Sequence, residues 1–314
     1  MAESGSVTVA ALYCFASMTD LDSLRASLLA RCAAQGIRGT LLLATEGING
    51  TIAGSAAGIE ATVAAVRSLP GCGRLEVKYS SAPSIPFFRL KVLVKREIVT
   101  MGVEGIDPTT TVGTYVAAAD WNALITDPTT LVIDTRNAYE AEIGTFPGAV
   151  DPQTESFRDF PSWFREHRDT LLAGKHRVAM FCTGGIRCEK STAFLKSEGI
   201  DQVYHLQGGI LRYLEEVPEA SSLWQGECFV FDQRVSVGVG LRQGTFGRCH
   251  GCRHPLSPDE MKSPLYTEGE SCPRCHGSRA PERLAGYAER HRQVQLASQR
   301  GQEHLGVSRQ ASTR

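Results

Sequence analysis

Phe181-Cys182-Thr183-Gly184-Gly185-Ile186-Arg187-Cys188 is a glycine-rich loop with a thiol near its start. It lies between an apolar run at 177–181, which predicts a short buried strand, and 189–198, which predicts a helix. The glycine pair lets the backbone turn its amide N–H groups toward the Cys182 sulfur, and the helix N-terminus adds a partial positive charge. Arg187 adds a full positive charge. Such surroundings lower the pKa of a thiol, so Cys182 is the predicted nucleophile.

The size of the loop distinguishes two kinds of site. A Cys-x5-Arg loop holds a phosphate, whereas only four residues separate Cys182 from Arg187 here: Thr183, Gly184, Gly185 and Ile186. The smaller ring of amides suits one extra sulfur atom, which is the rhodanese pattern. A structural thiol ahead of a helix is the alternative, although lone buried cysteines are not usually followed by this glycine and arginine pattern.

Alternating strands and helices surround the loop between residues 121 and 222 and predict a parallel α/β domain. Such sheets place ligands at the carboxyl ends of strands, which is where Cys182 lies. Asp134 and Arg136 follow an earlier strand, at 131–134. We expect these two residues to support the site by pairing or by hydrogen-bonding loop backbone, with direct acid–base catalysis as the alternative.

Residues 1–100 predict a small ferredoxin-like (acylphosphatase-like) α+β domain of order βαββαβ, with a hairpin turn at 46–50 and a late strand at 90–99. A linker is expected at 101–120. Basic and aromatic side chains concentrate late in this domain and could hold RNA phosphates and stack bases. An ordinary solvated strand face is the alternative. The basic residues are Lys78, Arg89, Lys91, Lys95 and Arg96.

Two cysteine pairs lie in a C-terminal segment at 223–280: Cys249-x2-Cys252 and Cys272-x2-Cys275. Two thiolate knuckles at this spacing predict a structural, tetrahedral Zn2+ site, with an iron–sulfur cluster as the alternative. The segment begins with an aromatic run that contains Cys228. We expect a structural role for this thiol, although a meeting with Cys182 stays open. The tail at 281–314 predicts a helix near 282–296 followed by disorder.

Composition limits the classes of function. The net charge of -1 excludes a basic coat for nucleic acid, so any RNA contact must come from a local patch. The sequence has no apolar run of membrane-spanning length and no signal-peptide pattern, which predicts a cytoplasmic protein without a membrane partner. Of the ten cysteines, four form metal-type pairs and one lies in a reactive loop, which indicates a reducing compartment.

Several segments together closely resemble the rhodanese-domain tRNA uridine hydroxylases from residue 7 to about 276. They are the catalytic loop with Glu189-Lys190, Asp134-Thr135-Arg136-Asn137, Gly208-Gly209-Ile210, the run at 226–232 and the paired cysteines. The resemblance implies a bacterial cytoplasmic enzyme that uses O2 to hydroxylate C5 of wobble uridine 34 in tRNA, giving 5-hydroxyuridine. It also implies that Cys182 is the active cysteine and can carry a persulfide.

The chemistry that follows is partly defined. A thiolate or persulfide that adds at C6 of uracil makes C5 enolate-like and open to an oxidant. Cys188 would resolve an oxidised Cys182, or else be a buried helix residue. The sequence has no flavin or NAD motif and no two-His-one-carboxylate set, so neither the oxygen-activating species nor the reductant is identified. The expected partner is tRNA rather than DNA. A sulfurtransferase that passes on persulfide sulfur and a non-catalytic RNA-binding protein are the alternatives.

Overall fold

The computed structural model describes residues 7–300. It contains two compact units. The first runs up to Asp232 and includes Ser236–Gln243, and the second consists of Gln233–Val235 and the chain from Gly244 on. Within residues 7–300, no helix is both long enough and apolar enough to cross a membrane.

The first unit begins with a five-stranded sheet that has two helices on one face. The strands are β1 (Val7–Phe15), β2 (Arg38–Ala44), β3 (Gly47–Gly54), β4 (Glu76–Ala82) and β5 (Leu90–Val94), and the helices are α1 (Leu21–Ala34) and α2 (Ala56–Arg67). The strand order is β4-β1-β3-β2-β5, with β5 parallel to β2 at one edge and the other pairs antiparallel. The first four strands and both helices follow the order βαββαβ. The predicted α+β, acylphosphatase-like fold is therefore confirmed.

Two boundaries in this sheet differ from the prediction. β3 begins at Gly47, so the hairpin turn is 45–46 rather than 46–50. Pairing extends this far because glycine allows close strand approach: a Cβ on Gly50 would lie 2.0 Å from the Thr40 carbonyl oxygen. β5 ends at Val94 rather than 99. Beyond it the chain turns, and the Glu97 carboxylate accepts hydrogen bonds from following amides.

The two faces of this sheet have different neighbours. Leu12 and Cys14 of β1 lie in the hydrophobic core beneath the helices, together with Leu28 of α1. Side chains alternate along a strand, so Tyr13 of β1 lies on the opposite face. Lys78 of β4 also lies there, because its neighbours in the strand pack in the core. We call this second side the open face.

The next part of the unit is a parallel sheet with helices on both sides. Its strands are β6 (Thr114–Val116), β7 (Thr130–Asp134), β9 (Arg177–Phe181) and β10 (Val203–Leu206), in the order β6-β10-β9-β7. A two-residue strand, β8 (Gly144–Thr145), lies outside it, and the helices are α3 (Ala118–Ile125), α4 (Ala138–Ala141), α5 (Phe160–Leu172), α6 (Ile186–Ser197) and α7 (Gly209–Glu216). One core surrounds Trp121 and the other Phe160. The predicted parallel α/β domain is confirmed.

Two features here also differ from the sequence expectation. β6 and the beginning of α3 lie within 101–120, the predicted linker, because β6 pairs with β10 as an edge strand. Helix α6 begins at Ile186, three residues before the predicted start, after Gly185 at φ 101°. A positive φ favours glycine at this position, and the early start puts Arg187 and Cys188 in the first helical turn.

Three short strands complete the first unit, and two more belong to the second. They are β11 (Gln225–Gly226), β12 (Cys228–Phe229) and β13 (Ser236–Val237), then β14 (Gly247–Arg248) and β15 (Pro255–Leu256). Cys228 is buried in the core around Trp121, whereas Cys182 lies in the other core, so the two thiols do not meet. Helix α8 (Pro281–Gln299) covers the predicted C-terminal helix. The disorder predicted beyond it falls at 301–314, outside the described residues.

Candidate functional site

The loop that follows β9 encloses the Cys182 sulfur. Cys182 is at the carboxyl end of the strand and is fully buried. The Gly185 amide donates a hydrogen bond to the sulfur at 3.1 Å. The start of α7 packs tightly behind the loop, where the Ile210 amide donates to the Cys182 carbonyl at 2.9 Å. At Gly209 a Cβ would lie 2.5 Å from that same carbonyl oxygen, so the close packing requires glycine.

Polar groups keep the Cys182 sulfur ionised despite its burial. Burial by itself raises the pKa of Cys182. A hydrogen bond from the Cys188 thiol, the charge of Arg187 and the amides of Cys188 and Gly185 outweigh it and lower the pKa to about 5. Burial and the adjacent Cys182 sulfur raise the pKa of Cys188 well above its usual range. At neutral pH the pair is therefore one thiolate and one thiol.

Arg187 makes its hydrogen bonds to a buried carboxylate. Its guanidinium pairs at two points with Glu140, with Nη1–Oε2 at 2.6 Å and Nη2–Oε1 at 2.8 Å. Glu140 is fully buried, and the Thr183 hydroxyl donates to it at 3.1 Å. Arg187 thus acts on the Cys182 sulfur through its charge, and the ion pair holds the loop against α4.

Asp134 and Arg136 form the pairing that the sequence favours over direct catalysis. Both are fully buried, and Arg136 Nε donates to Asp134 Oδ1 at 2.9 Å. The same guanidinium donates to the carbonyl of Glu140 at 3.0 Å and to that of Gly144 at 2.6 Å. These bonds fix the segment that carries Glu140. The pair therefore contacts the backbone that positions Arg187.

Two side chains of the open face cover the loop. Lys78 Nζ donates to the Gly184 carbonyl at 2.6 Å and lies 4.7 Å from the centroid of the Tyr13 ring. The Tyr13 hydroxyl donates to Glu189 Oε1 at 2.6 Å, and a Cβ on Gly185 would lie 2.9 Å from the Tyr13 oxygen. Cys182 lies beneath this cover.

The role predicted for Lys78, contact with RNA phosphates, is corrected by its burial. It is 4% exposed, and burial lowers its pKa to about 8. A buried ammonium that is bonded to the loop does not offer itself to an RNA phosphate at the surface. The other basic residues of the prediction are exposed: Arg89, Lys91, Lys95 and Arg96.

The register of the strands relates the covered site to these four exposed basic residues, which we call the basic edge. The paired residues Lys78, Ala11, Thr51, Thr40 and Lys91 form one row across the five strands. Paired residues point to the same side, so both lysines of the row are on the open face, four strand spacings or about 19 Å apart. The three residues between them are small and half-buried. These three small side chains thus form a strip between exposed Lys91 and buried Lys78.

A second contact ties the two sheets of the unit together. Lys190 of α6 is 1% exposed, and its Nζ lies 2.9 Å from Glu46 and 2.5 Å from Glu97. It also donates to the Val99 carbonyl at 2.9 Å. The sequence reasoning misses these partners as well as Tyr13 and Glu189. The only local signal for them is the Glu189-Lys190 pair at the start of the catalytic helix.

An exposed aromatic ring lies beside the covered loop. Phe231 is 57% exposed, and its ring centroid is 6.0 Å from Arg187 Cζ. Phe229 supports it in an edge contact at 5.2 Å. Large exposed rings next to a guanidinium are suited to stack a planar base.

The four cysteines of the second unit form one cluster that could hold a metal ion. The ligand sulfurs of Cys249, Cys252, Cys272 and Cys275 all lie within 4.8 Å of one another. Cys249–Cys275 and Cys252–Cys272 are separated by 3.8 and 3.7 Å. A tetrahedral ion with metal–sulfur bonds of about 2.3 Å requires sulfur–sulfur distances of about 3.8 Å, so the spacing fits.

Related proteins match nearly the whole chain. Residues 7–98 match the UPF0176 acylphosphatase like domain, and residues 117–216 match the rhodanese-like domain. The tRNA uridine(34) hydroxylase of Brucella ovis is 59% identical over 300 residues, covering 95% of this chain and 98% of that protein. The tRNA uridine(34) hydroxylase of Mesorhizobium japonicum is 60% identical over 306 residues, covering 97% and 98%. A solved rhodanese-related protein from Thermoplasma volcanium is 25% identical, with a TM-score of 0.27, covering 33% of this chain and 93% of that one.

Proposed function

Because the chain belongs to the tRNA uridine(34) hydroxylase family, we propose that it hydroxylates C5 of wobble uridine 34 in tRNA, using O2 and giving 5-hydroxyuridine. The observation that carries the proposal is the 59% identity over 95% of the chain. A match limited to the rhodanese-like domain would cover residues 117–216 alone and would support only sulfur transfer. A tRNA substrate also agrees with the expected cytoplasmic location.

Cys182 is the nucleophile in this proposal. Its lowered pKa leaves it ionised at neutral pH, and addition of the sulfur to C6 of uracil makes C5 an enolate carbon that O2 attacks. Arg187 and the loop amides stabilise the thiolate as it forms and as it leaves. A ring of amides of this size also suits one extra sulfur on Cys182, so a persulfide is a second form of the same nucleophile in the proposal.

The covered sulfur requires the loop to open before a base can reach it. Lys78 and Tyr13 hold Gly184 and Glu189 from the open face, so their release is the opening step in the proposal. RNA phosphates bind at the exposed basic edge near Lys91, and the strip along the open face leads from there to the loop. Phe231 then stacks the flipped uracil beside Arg187.

The four-cysteine cluster is proposed to bind Zn2+ as a structural ion. Four thiolates complete a tetrahedral shell, and the sulfur separations of 3.7 and 3.8 Å suit zinc. The Cys272 amide also donates toward the Cys275 sulfur at 3.4 Å, a bond that favours the ionised ligand. The ion would order the short strands β14 and β15.

The proposal is tested with purified protein and a tRNA transcript that carries unmodified uridine 34. Nucleoside mass spectrometry is expected to detect 5-hydroxyuridine in air with a thiol reductant and none without O2. Cys182→Ser abolishes the product, whereas Cys32→Ser, a buried thiol in the core under the helices, retains it. Equal product from Cys182→Ser refutes the role of that sulfur. Thiosulfate-to-cyanide turnover with no tRNA product would favour a sulfurtransferase instead.

A separate variant tests the stacking role of Phe231. Phe231→Ala is expected to lower kcat/KM for tRNA about 5- to 150-fold, because base–aromatic stacking contributes about 1–3 kcal/mol. Leu29→Ala removes an exposed apolar side chain from α1 and is the matched control. Similar kinetics for the two variants would assign the base to another surface.

A further inference from the structure

We propose that Cys182 and Cys188 together supply the two electrons that the hydroxylation consumes, and that they form a disulfide in each turnover. The inference rests on the proposed function and names its reductant. One oxygen atom of O2 enters C5 of uracil and the other leaves as water. Reduction of that second atom requires two electrons, which two thiols provide when they join.

The placement of the two sulfurs carries the inference. Cys182 and Cys188 are both fully buried in one core, at the two ends of the catalytic loop. Cys188 lowers the pKa of Cys182 and Cys182 raises that of Cys188, which agrees with two neighbouring sulfurs. Thr135 contacts both ends of the loop: its hydroxyl lies 3.6 Å from the Cys188 sulfur and donates at 3.0 Å to the carbonyl of Phe181, the residue before Cys182. The second thiol is thus fixed beside the first.

Opposite protonation states give the two sulfurs different tasks. Cys182 is the thiolate and adds to C6, whereas Cys188 is held as a thiol by its burial and by the neighbouring negative charge. A protonated Cys188 does not compete for the uracil ring. In the proposal it attacks a peroxide formed on C5, and its proton goes to the oxygen that stays on C5.

The steps balance in atoms and electrons. Cys182 thiolate adds to C6, the C5 enolate carbon takes up O2, and one proton gives a C5 hydroperoxide. The Cys188 sulfur attacks the outer peroxide oxygen, which leaves a hydroxyl on C5 and a sulfenic acid on Cys188. Loss of the C5 proton releases Cys182 thiolate and 5-hydroxyuridine. Cys182 thiolate then attacks the sulfenic sulfur, and the hydroxide that leaves takes up the released proton as water.

The overall reaction consumes one proton from the solvent. Uridine, O2, Cys182 thiolate, Cys188 thiol and this proton give 5-hydroxyuridine, water and a Cys182–Cys188 disulfide. A small or protein dithiol then reduces the disulfide by exchange and returns the pair to its starting state.

A single-turnover experiment tests the inference. Reduced protein is freed of reductant and mixed in air with excess tRNA transcript. We expect one 5-hydroxyuridine per protein, an equal amount of Cys182–Cys188 disulfide by peptide mapping after alkylation, and then arrest. Dithiothreitol is expected to restart product formation. Without O2, both thiols stay free.

Variants separate the electron donor from a structural thiol. Cys188→Ser and Cys188→Ala are expected to form no disulfide and less than about a tenth of the wild-type burst, a loss of at least tenfold. Cys228→Ala, from the core around Trp121, keeps the full burst. The wild-type ratio of disulfide to product stands even if both Cys188 variants fail to fold.

Three outcomes overturn the inference in different ways. Several products per protein without reductant, with both thiols still free, would show another electron source. A full burst from either Cys188 variant would show that this thiol is dispensable. In both cases the proposed hydroxylation stands. If no product forms with any reductant, the proposed function itself fails and this inference fails with it.

Discussion

The ion pair between Arg187 and Glu140 gives the sharpest energetic prediction. Arg187→Met removes the guanidinium but keeps an apolar stem, and so leaves a buried carboxylate without its partner. Glu140 is fully buried and Arg187 is 7% exposed, so solvent screens the pair little. Breaking a buried ion pair from one side costs about 3–5 kcal/mol. We expect that loss in the free energy of unfolding for Arg187→Met and a similar loss for Glu140→Gln.

The double variant measures whether the two side chains act as a unit. Arg187→Met with Glu140→Gln removes both charges and leaves no uncompensated ion. We expect it to be less destabilised than the sum of the single variants, with a coupling energy of about 3 kcal/mol. Burial raises the pKa of Glu140, and Arg187 outweighs burial and lowers it. A lowered carboxyl pKa stabilises the fold above the unfolded pKa, so the coupling is present at neutral pH and is lost as the pH falls through the folded value.

Urea unfolding followed by tryptophan fluorescence measures these energies, because all three tryptophans lie in the part of the first unit that contains the parallel sheet. A matched pair at the surface, Arg165 and Glu198, is the control, since its arginine side chain is 52% exposed. Its coupling should stay below about 1 kcal/mol. Additive losses for Arg187→Met and Glu140→Gln would refute the assignment of this pair as the unit that holds the loop.

Three further results are expected. The difference in thiolate absorbance between wild type and Cys182→Ser should titrate with a midpoint near pH 5, and a midpoint above about 8 contradicts the expectation. Because folding lowers this pKa, the ionised sulfur stabilises the fold above the unfolded pKa and loses that effect as the pH falls through about 5. Inductively coupled plasma mass spectrometry should find one zinc ion per chain in wild type and in Cys32→Ser, but little zinc in Cys272→Ser. Retained metal in Cys272→Ser argues against a four-sulfur site. Lys91→Ala should weaken tRNA binding and lower its salt slope by about 1, whereas Arg67→Ala on α2 leaves both unchanged; equal effects would remove the basic edge as the RNA contact.

The loop around Cys182 can be predicted from the sequence, but the side chains that cover it cannot. A thiol, two glycines and an arginine between a strand and a helix predict the loop, because its shape depends on residues close in sequence. The cysteine spacing predicts the metal cluster for the same reason. Lys78 is different: it lies on the open face of β4, but strand alternation alone does not tell whether that face meets water or protein.

The local structure of the loop can be predicted from the sequence because strand alternation, turn geometry and the conformational freedom of Gly185 depend on only a few neighbouring residues. The cover of the site cannot be predicted in this way, because its hydrogen bonds join residues far apart in the chain. Tyr13 donates to Glu189 across 176 positions and Lys78 to Gly184 across 106. Such contacts arise when two sheets pack and exclude water from the surface between them. Only that packing makes Lys78 a buried partner of the loop and leaves Lys91, on the same face and in the same row, exposed.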